Sequence, residues 1–170
     1  TYDKLAAWDA TGRVLPAKMA LDDNRLTIEV NDSGAIFPLT IDPILQQAYV
    51  KPSFIGAANQ FGYAVAVSGD TAVVGAPGEN VDSGAAYVFV RSNGQWSQDA
   101  RLQASIADLG DDFGAAVAID GTTIVVGAPG ESSNGSSPTD NSMPGAGAAY
   151  VFVRTSAWVQ AAYLKASNPD

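Results

Sequence analysis

The stretch FGYAVAVSGDTAVVGAPG (residues 61–78) decides the fold, because residues 113–130 repeat it almost letter for letter as FGAAVAIDGTTIVVGAPG. In both stretches β-branched and small residues alternate on either side of a Gly-containing turn. This pattern is typical of two short antiparallel strands joined by a tight hairpin. A chain in which the same strand pair recurs at a spacing of 52 residues is built from repeated structural units.

The repetition continues beyond this strand pair. GAAYVFVR occurs at 84–91 and again at 147–154, so this match has a spacing of 63 residues and the second copy carries an insertion of eleven. The insertion lies within ESSNGSSPTDNSMPGA (131–146), whose Gly, Pro, Ser and Asn content is typical of a loop. We expect loop 131–146 to be the most distinctive surface feature and the first contact site for a partner.

Each copy ends with a further strand-like element. Trp96 corresponds to Trp158, and QDARLQAS (98–105) corresponds to QAAYLKAS (160–167). A unit of about fifty residues that forms a four-stranded antiparallel meander is typical of a β-propeller blade. In the first copy the predicted strands span 63–68, 71–76, 85–91 and 96–104.

The repeats divide the chain into three segments. Residues 1–45 are a β-rich lead-in, 46–105 are the first blade, and 106–170 are the second blade. The first blade includes an extra outer-strand element, QQAYVKPS (46–53), and we predict that its AYVKPS part (48–53) is a strand in the role of ARLQAS and AYLKAS. In the lead-in, the runs KLAAW, RVLPAKMAL, RLTIEV and AIFPLTI are separated by turn residues and predict a small antiparallel meander.

Composition excludes several classes of function. The chain has 170 residues, 46% of them hydrophobic and 16% charged, and no amphipathic helical pattern, so we predict a folded all-β protein. A net charge of −9 with scattered basic residues argues against nucleic acid as a partner. The absence of a long apolar run argues against membrane insertion. Without His or Cys, the chain lacks the commonest general base and all thiolate metal ligands.

The motif FG…V…GD…VVGAP…GAAYVF…W…L.AS, which covers residues 46–167, resembles the FG-GAP repeats of integrin α-subunit propellers. It is more similar still to bacterial FG-GAP repeat proteins, and GAIFPLTIDP (34–43) resembles the lead-in found before such repeats in bacterial surface proteins. The resemblance implies β-propeller-type four-stranded antiparallel blades. Two blades make only a partial propeller, since propellers have about four to eight. We therefore expect either further blades or a homo-oligomer.

Physical chemistry assigns structural roles to the repeated motif residues. Glycine allows close approach of two backbones, proline ends a strand by removing a hydrogen-bond donor, and aromatic rings supply large apolar area between blades. The residues given these roles are Phe61, Gly62, Gly75, Ala76, Pro77, Trp96, Phe113, Gly114, Gly127, Ala128, Pro129 and Trp158.

Calcium is the cofactor that the integrin resemblance implies first, held in an Asp-x-Asp-x-Asp-Gly hairpin loop. The matching hairpins here, SGDTA (68–72) and IDGTT (119–123), contain a single acid each, so we do not transfer that site and predict no cofactor. The remaining candidates for calcium are Asp108, Asp111 and Asp112 in ADLGDDFG, for which a solvated loop is the alternative. Glu79, Asp82, Glu131 and Asp140 follow the second strand of each blade and are weaker candidates to line one end of a propeller.

No catalytic motif is present: nucleophile–His pairs, a Gly-x-Ser-x-Gly elbow and phosphate-binding loops are all missing. We therefore predict no enzyme. The resemblance implies an extracellular or cell-surface scaffold for adhesion or for recognition of protein or glycan partners. The alternative is a calcium-stabilised carbohydrate-binding or carbohydrate-processing module. Tyr49, Tyr63 and Tyr163 are candidates to stack on sugars, although packing between blades is their expected role.

Overall fold

The structure, a computed structural model, describes residues 5–22, 25–43, 48–135, 137 and 139–167. The chain forms two compact units, residues 1–49 and 50–170. Regular structure is almost entirely β, as predicted. Among the described residues, no helix has the length and apolarity that crossing a membrane requires.

The lead-in unit contains four strands, β1 (Leu5–Trp8), β2 (Ala17–Asp22), β3 (Arg25–Val30) and β4 (Thr40–Pro43). They pair as two separate antiparallel ladders, β1 with β4 and β2 with β3. The predicted small antiparallel meander differs in one respect: the fourth run pairs with the first, although Val14 of the second run still bridges Trp8 of the first.

The turn at Asp9 accounts for this difference. The Asp9 carboxylate accepts hydrogen bonds from Thr11 Oγ1 (2.6 Å), from the backbone N of Thr11 and Arg13, and from the N of Ile36 (3.4 Å). These bonds, with that of Thr11 Oγ1 the strongest influence, lower the pKa of Asp9 to about 2. Because Asp9 holds Ile36 beside the end of β1, the chain that follows Ile36 pairs with β1 over four residues, whereas the run before β2 meets β1 only at the Trp8–Val14 bridge and the bond from Leu15 N to Ala7 O (2.8 Å).

The second unit consists of two four-stranded antiparallel sheets with consecutive strand order. Blade 1 contains β5 (Val65–Ser68), β6 (Thr71–Ala76), β7 (Ala85–Ser92) and β8 (Gln95–Leu102). Blade 2 contains β9 (Ala116–Asp120), β10 (Thr123–Ala128), β11 (Ala148–Arg154) and β12 (Trp158–Leu164). One short turn, α1 (Glu79–Asp82), joins β6 to β7, and Asn80 and Val81 within it have left-handed backbone angles.

The two blades share fine details of register. In each blade the pairing of the third and fourth strands shifts at one point, between Val88 and Phe89 in blade 1 and between Val151 and Phe152 in blade 2. These pairs are equivalent in the repeat alignment. The repeated sequence thus produces the same irregularity twice, and the predicted fold of four-stranded antiparallel blades is confirmed.

Residues 48–53 are not a strand, so that prediction is wrong; residues 46 and 47 lie outside the described part. The segment nevertheless makes the contacts that the alignment implies. Val50 packs on blade 1, as Leu102 packs on blade 2. The backbone N of Ser53 donates to Gln98 Oε1 (2.7 Å), and the N of Ser105 donates equivalently to Gln160 Oε1 (2.9 Å). A strand requires a neighbouring strand to pair with, and the packing position alone does not supply one.

One apolar core joins the two blades. Blade 1 and the segment after it contribute Val73, Ala86, Val88, Leu102 and Ala104, and the second repeat contributes Phe113, Ile124, Val126, Ala128, Tyr150 and Phe152, all of them buried. Neither sheet buries both of its faces alone, and the shared core explains why the strand pair is duplicated.

Candidate functional site

The motif residues Phe113 and Gly114 form the junction between the blades. The ring of Phe113 is fully buried and meets Tyr150 and Phe152 edge to face, with centroids 5.4 and 6.0 Å apart. Gly114 adopts a φ of +98°, and a Cβ built on Gly75 would lie 1.9 Å from Gly114 O. Glycine is therefore required where β6 passes the start of blade 2.

The other motif residues occupy the core or its edges. Phe61 meets Tyr87 and Phe89 with the same edge geometry that Phe113 has, at 5.6 and 6.0 Å. Trp96 packs on the core of blade 1 and Trp158 on the shared core. Ala76 and Ala128 are fully buried where β6 and β10 end, immediately before Pro77 and Pro129.

Glu79, a weak candidate to line one end, is fully buried. Its carboxylate accepts a hydrogen bond from Tyr87 Oη (2.6 Å) and one from Arg101 Nε (2.7 Å), and it forms an ion pair with Arg101. Burial and the bond to Glu79 together raise the pKa of Tyr87 to about 12. The sequence repeat signals this role, because Glu directly follows GAPG in both copies.

Glu131 repeats this arrangement with different partners. It forms an ion pair with Lys165, and both side chains are about 95% removed from solvent, at 4% and 5% exposure. The backbone N of Ser133 donates to Glu131 (3.1 Å), and Ser133 Oγ bonds Tyr163 Oη. Tyr163 therefore packs inside the blade instead of standing free for a sugar, whereas Tyr49 and Tyr63 are exposed.

The three aspartates of ADLGDDFG are brought near one another without converging on one point. Asp111 is buried and accepts from the backbone N of Asp108 (2.9 Å). Burial raises the pKa of Asp111, and the charges of Asp108 and Glu131 act in the same direction. The backbone N of Asp112 donates to Asp82 O (2.7 Å), which ties the start of blade 2 to the β6–β7 connection.

The hairpins do not fit the integrin calcium site. Asp70 Oδ1 binds Arg91 through Nε (2.7 Å) and Nη2 (2.6 Å), so a guanidinium group already neutralises that carboxylate. Asp120 is exposed at the matching position. In the part of the chain that the structure describes, no group of three or more acidic side chains is arranged to hold a metal ion.

Loop 131–146 is held by hydrogen bonds of its own. Asp140 accepts from the backbone N of Asn134 (3.2 Å) and from Ser142 Oγ (2.8 Å), and the latter bond lowers the pKa of Asp140. Asn141 Nδ2 donates to Asp108 Oδ2 (3.1 Å). The loop is therefore fastened to the start of blade 2, at the same end of the molecule as Glu131.

A cleft of about 320 Å³ opens beside the β6–β7 connection of blade 1, lined by Phe54, Glu79, Asn80 and Arg101. Asn80, Val81 and Asp82 have left-handed φ values of 53°, 57° and 62°. This conformation is strained for a β-branched residue, and the Val81 side chain is exposed. Sequence reasoning missed this cleft, because neither Phe54 nor Asn80, which line it, belongs to the repeated motif.

Comparison with known families agrees with the geometry. No curated protein matches the chain. The sequence model of the FG-GAP repeat matches two segments, residues 45–89 and 96–152, which together cover more than half of the chain. Each matched segment contains one Phe-Gly and one Gly-Ala-Pro element; the first ends within β7, and the second begins in β8 and ends within β11. This protein therefore belongs to the FG-GAP repeat family, whose repeats form β-propeller-type domains.

Proposed function

We propose that the chain is a non-enzymatic, extracellular or cell-surface scaffold that recognises protein or glycan partners through one end of its blades. In an antiparallel four-stranded sheet, the connections between the second and third strands lie at the same end as the crossings between blades. We call this the loop end, and the opposite one the hairpin end. The loop end contains the 79–84 and 131–147 connections and the segments leading into β5 and β9.

The observation that carries the proposal is the surface of the loop end. Phe54, Ile55, Val81 and Leu109 all point large apolar side chains into solvent there, each more than half exposed. Beside them lies the polar loop 131–146, which presents hydroxyl, amide and carboxylate groups. Exposed apolar anchors next to hydrogen-bonding groups are typical of recognition surfaces.

The buried acids favour a scaffold over an enzyme. Glu79 and Glu131 are the most deeply buried carboxylates at the loop end, and each is neutralised by a cation, Arg101 or Lys165. A general acid or base needs a carboxyl that reaches substrate. These two carboxylates instead stabilise the connections that follow GAPG.

One observation favours the alternative, a calcium-stabilised carbohydrate module. Burial raises the pKa of Asp111, and the charges of Asp108 and Glu131 act in the same direction, so three acidic groups lie close together at the start of blade 2. Calcium that bound there would stabilise the folded state only. Thermal unfolding with millimolar calcium and with a chelator tests this: the scaffold proposal expects coincident curves, and a midpoint raised by calcium supports the alternative.

The main proposal is tested by binding of the labelled chain to printed arrays of glycans and of extracellular-matrix proteins. We expect binding that is lost in Phe54→Ser and Val81→Ser, because these exposed side chains anchor the partner. Gln95→Ser, in the β7–β8 hairpin at the opposite end, is the matched control and should retain binding. Lack of binding on both arrays, or binding that the loop-end variants leave unchanged, contradicts the proposal.

A further inference from the structure

The junction between the blades has two sides, and the repeat supplies each side a second time on a surface that is partly exposed to solvent. Blade 1 contributes its back face, formed by Val73, Ala86, Val88 and Leu102. Blade 2 contributes its front face, which includes Phe113, Val117 and Ile119. By repeat equivalence, blade 1 also has a front face and blade 2 also has a back face, and neither belongs to the junction.

The front face of blade 1 is buried at its two middle strands, where Tyr87 and Phe89 are 0% and 2% exposed, and it is open along its first strand. Val65 and Val67 are 68% and 65% exposed. Their equivalents in blade 2, Val117 and Ile119, are partly buried and pack on the shared core. The same side chains are thus covered in one blade and left in solvent in the other.

The back face of blade 2 is open in the same way. Leu164 is 50% exposed, whereas its equivalent in blade 1, Leu102, is 4% exposed. Val125 and Val151 are partly exposed at the positions where Val73 and Val88 are fully buried. The second blade therefore retains the apolar surface that the first blade uses to bind its neighbour.

The glycines that allow close approach at the junction have repeat equivalents on the other two faces. In the junction, a Cβ on Gly75 would meet Gly114 O at 1.9 Å. Outside the junction no backbone atom lies that close: Gly62 has no atom within 4 Å of an added Cβ, and a Cβ on Gly127 would meet the Ala116 Cβ at 3.3 Å. The backbone contact that requires glycine at position 75 therefore has no counterpart at Gly127 within the chain.

We propose that the chain binds a second copy of itself head to tail, with the back face of blade 2 on the front face of blade 1. The occupant is inferred from continuity with the junction, since one chain carries both halves of that interface. The contact is heterologous, so it forms rings when the rotation closes. Two to four copies would reach the roughly four to eight blades of a propeller.

This contact requires that one segment replace another at the outer edge of blade 1, beside β8. Val50–Ser53 already covers part of the front face of blade 1, where Ser53 Oγ accepts a bond from Gln98 Nε2 (3.0 Å). Ser167 is the repeat equivalent of Ser53 and Ser105, and it is exposed. In the assembly, Leu164–Ser167 of one copy replaces Val50–Ser53 of the next, and Ser167 takes over Gln98. The two segments, VKPS and LKAS, are similar in sequence, so one can occupy the position of the other.

The first test is the molar mass of the protein by light scattering after size exclusion, over a range of concentrations. We expect a mass two to four times that of one chain. Gly127→Ala and Val65→Asp should each abolish the assembly, the first by a backbone clash and the second by burial of a charge. Ser156→Ala, in the exposed β11–β12 hairpin, should leave it intact. Far-ultraviolet circular dichroism verifies that each variant is folded.

A monomer at every concentration overturns the proposal and assigns these faces to other occupants, such as further repeats. An assembly that both Gly127→Ala and Val65→Asp leave unchanged overturns it as well.

The second test uses the absence of native cysteine. The double variant Gln98→Cys with Ser167→Cys should form disulfides between chains under mild oxidation. Ser105→Cys with Gln160→Cys is the matched control, which should close within one chain because these residues are in contact. If the control pair closes and the first pair gives no covalent dimer, the exchange does not occur.

Discussion

Blade 1 and blade 2 have the same strands, the same register shift and the same aromatic geometry, but they differ in their neighbours. The front face of blade 2 lies against blade 1, and Phe113 is fully buried there. The front face of blade 1 has Val50–Ser53 at its outer edge, and Phe61 is only partly buried. The repeated sequence therefore specifies the four-stranded sheet, whereas the neighbours of each blade determine how much each repeated side chain contributes to stability.

The largest expected difference between the blades is at Gly75 and Gly127. Gly75→Ala places a Cβ 1.9 Å from Gly114 O, and the backbone must move to remove this clash. We therefore expect the free energy of unfolding to fall by about 4 kcal/mol or more. Gly127→Ala meets only the Ala116 side chain at 3.3 Å and should change stability by about 0.5 kcal/mol or less. Calorimetry on dilute protein measures both. Equal losses would show that the two glycines have equivalent surroundings.

The aromatic pair should show the next largest difference. Phe113→Ala removes a fully buried ring and should cost about 3–5 kcal/mol. Phe61→Ala removes a partly buried ring that makes equivalent ring contacts. Its loss of unfolding free energy should be about 1–2 kcal/mol smaller than that of Phe113→Ala. Urea unfolding curves give both values. A larger loss for Phe61→Ala would contradict the assignment of the junction to Phe113.

Removing the cation of each buried ion pair should reveal a smaller difference in stability between the two blades than the glycine and phenylalanine variants do. Lys165→Met leaves the Glu131 carboxylate unpaired in a site where both side chains are buried, and we expect a loss of about 3 kcal/mol. Arg101→Met should cost less, because the Arg101 side chain is 30% exposed and Glu79 retains the bond from Tyr87. Thermal midpoints should fall by roughly 2–4 °C per kcal/mol. Adding Glu131→Gln to Lys165→Met should recover part of the loss.

The smallest effect is expected at Asp111, which stands where blade 1 has Asn59. Because burial raises the pKa of Asp111 above 3.8, its ionised form disfavours the folded state at pH 7. Asp111→Asn should therefore raise the thermal midpoint slightly at pH 7. The gain should vanish as the pH falls below about 4, where the carboxyl is protonated in both states. A variant that is less stable than the wild type at pH 7 would contradict this sign.

Several structural features were predictable from the sequence because they depend on local chemistry. The alternation in FGYAVAVSGD and FGAAVAIDG predicted β5, β9 and their hairpins, and the spacing of GAAYVFVR predicted β7 and β11. Other features depend on which partner is present. AYVKPS resembles a strand in sequence but has no strand to pair with. The fourth lead-in run pairs with β1 because Asp9 holds Ile36 beside the end of β1.

The candidate site was less predictable for the same reason. The acids of ADLGDDFG, Glu79 and Glu131 were visible in the sequence, but their partners Arg101 and Lys165 are 22 and 34 residues away. The cleft beside Asn80 depends on a left-handed turn that no local motif signals.

The repeat, the four-stranded blade and the FG-GAP family could be predicted from the sequence, because strand periodicity and turn chemistry act over a few residues. The close approach of Gly75 to Gly114, the ion pairs that neutralise the buried carboxylates and the different exposure of equivalent apolar strands were visible only in the folded chain. Those outcomes depend on contacts between residues that are distant in the chain, and identical sequence elements acquire different surroundings when one has a neighbour and the other does not.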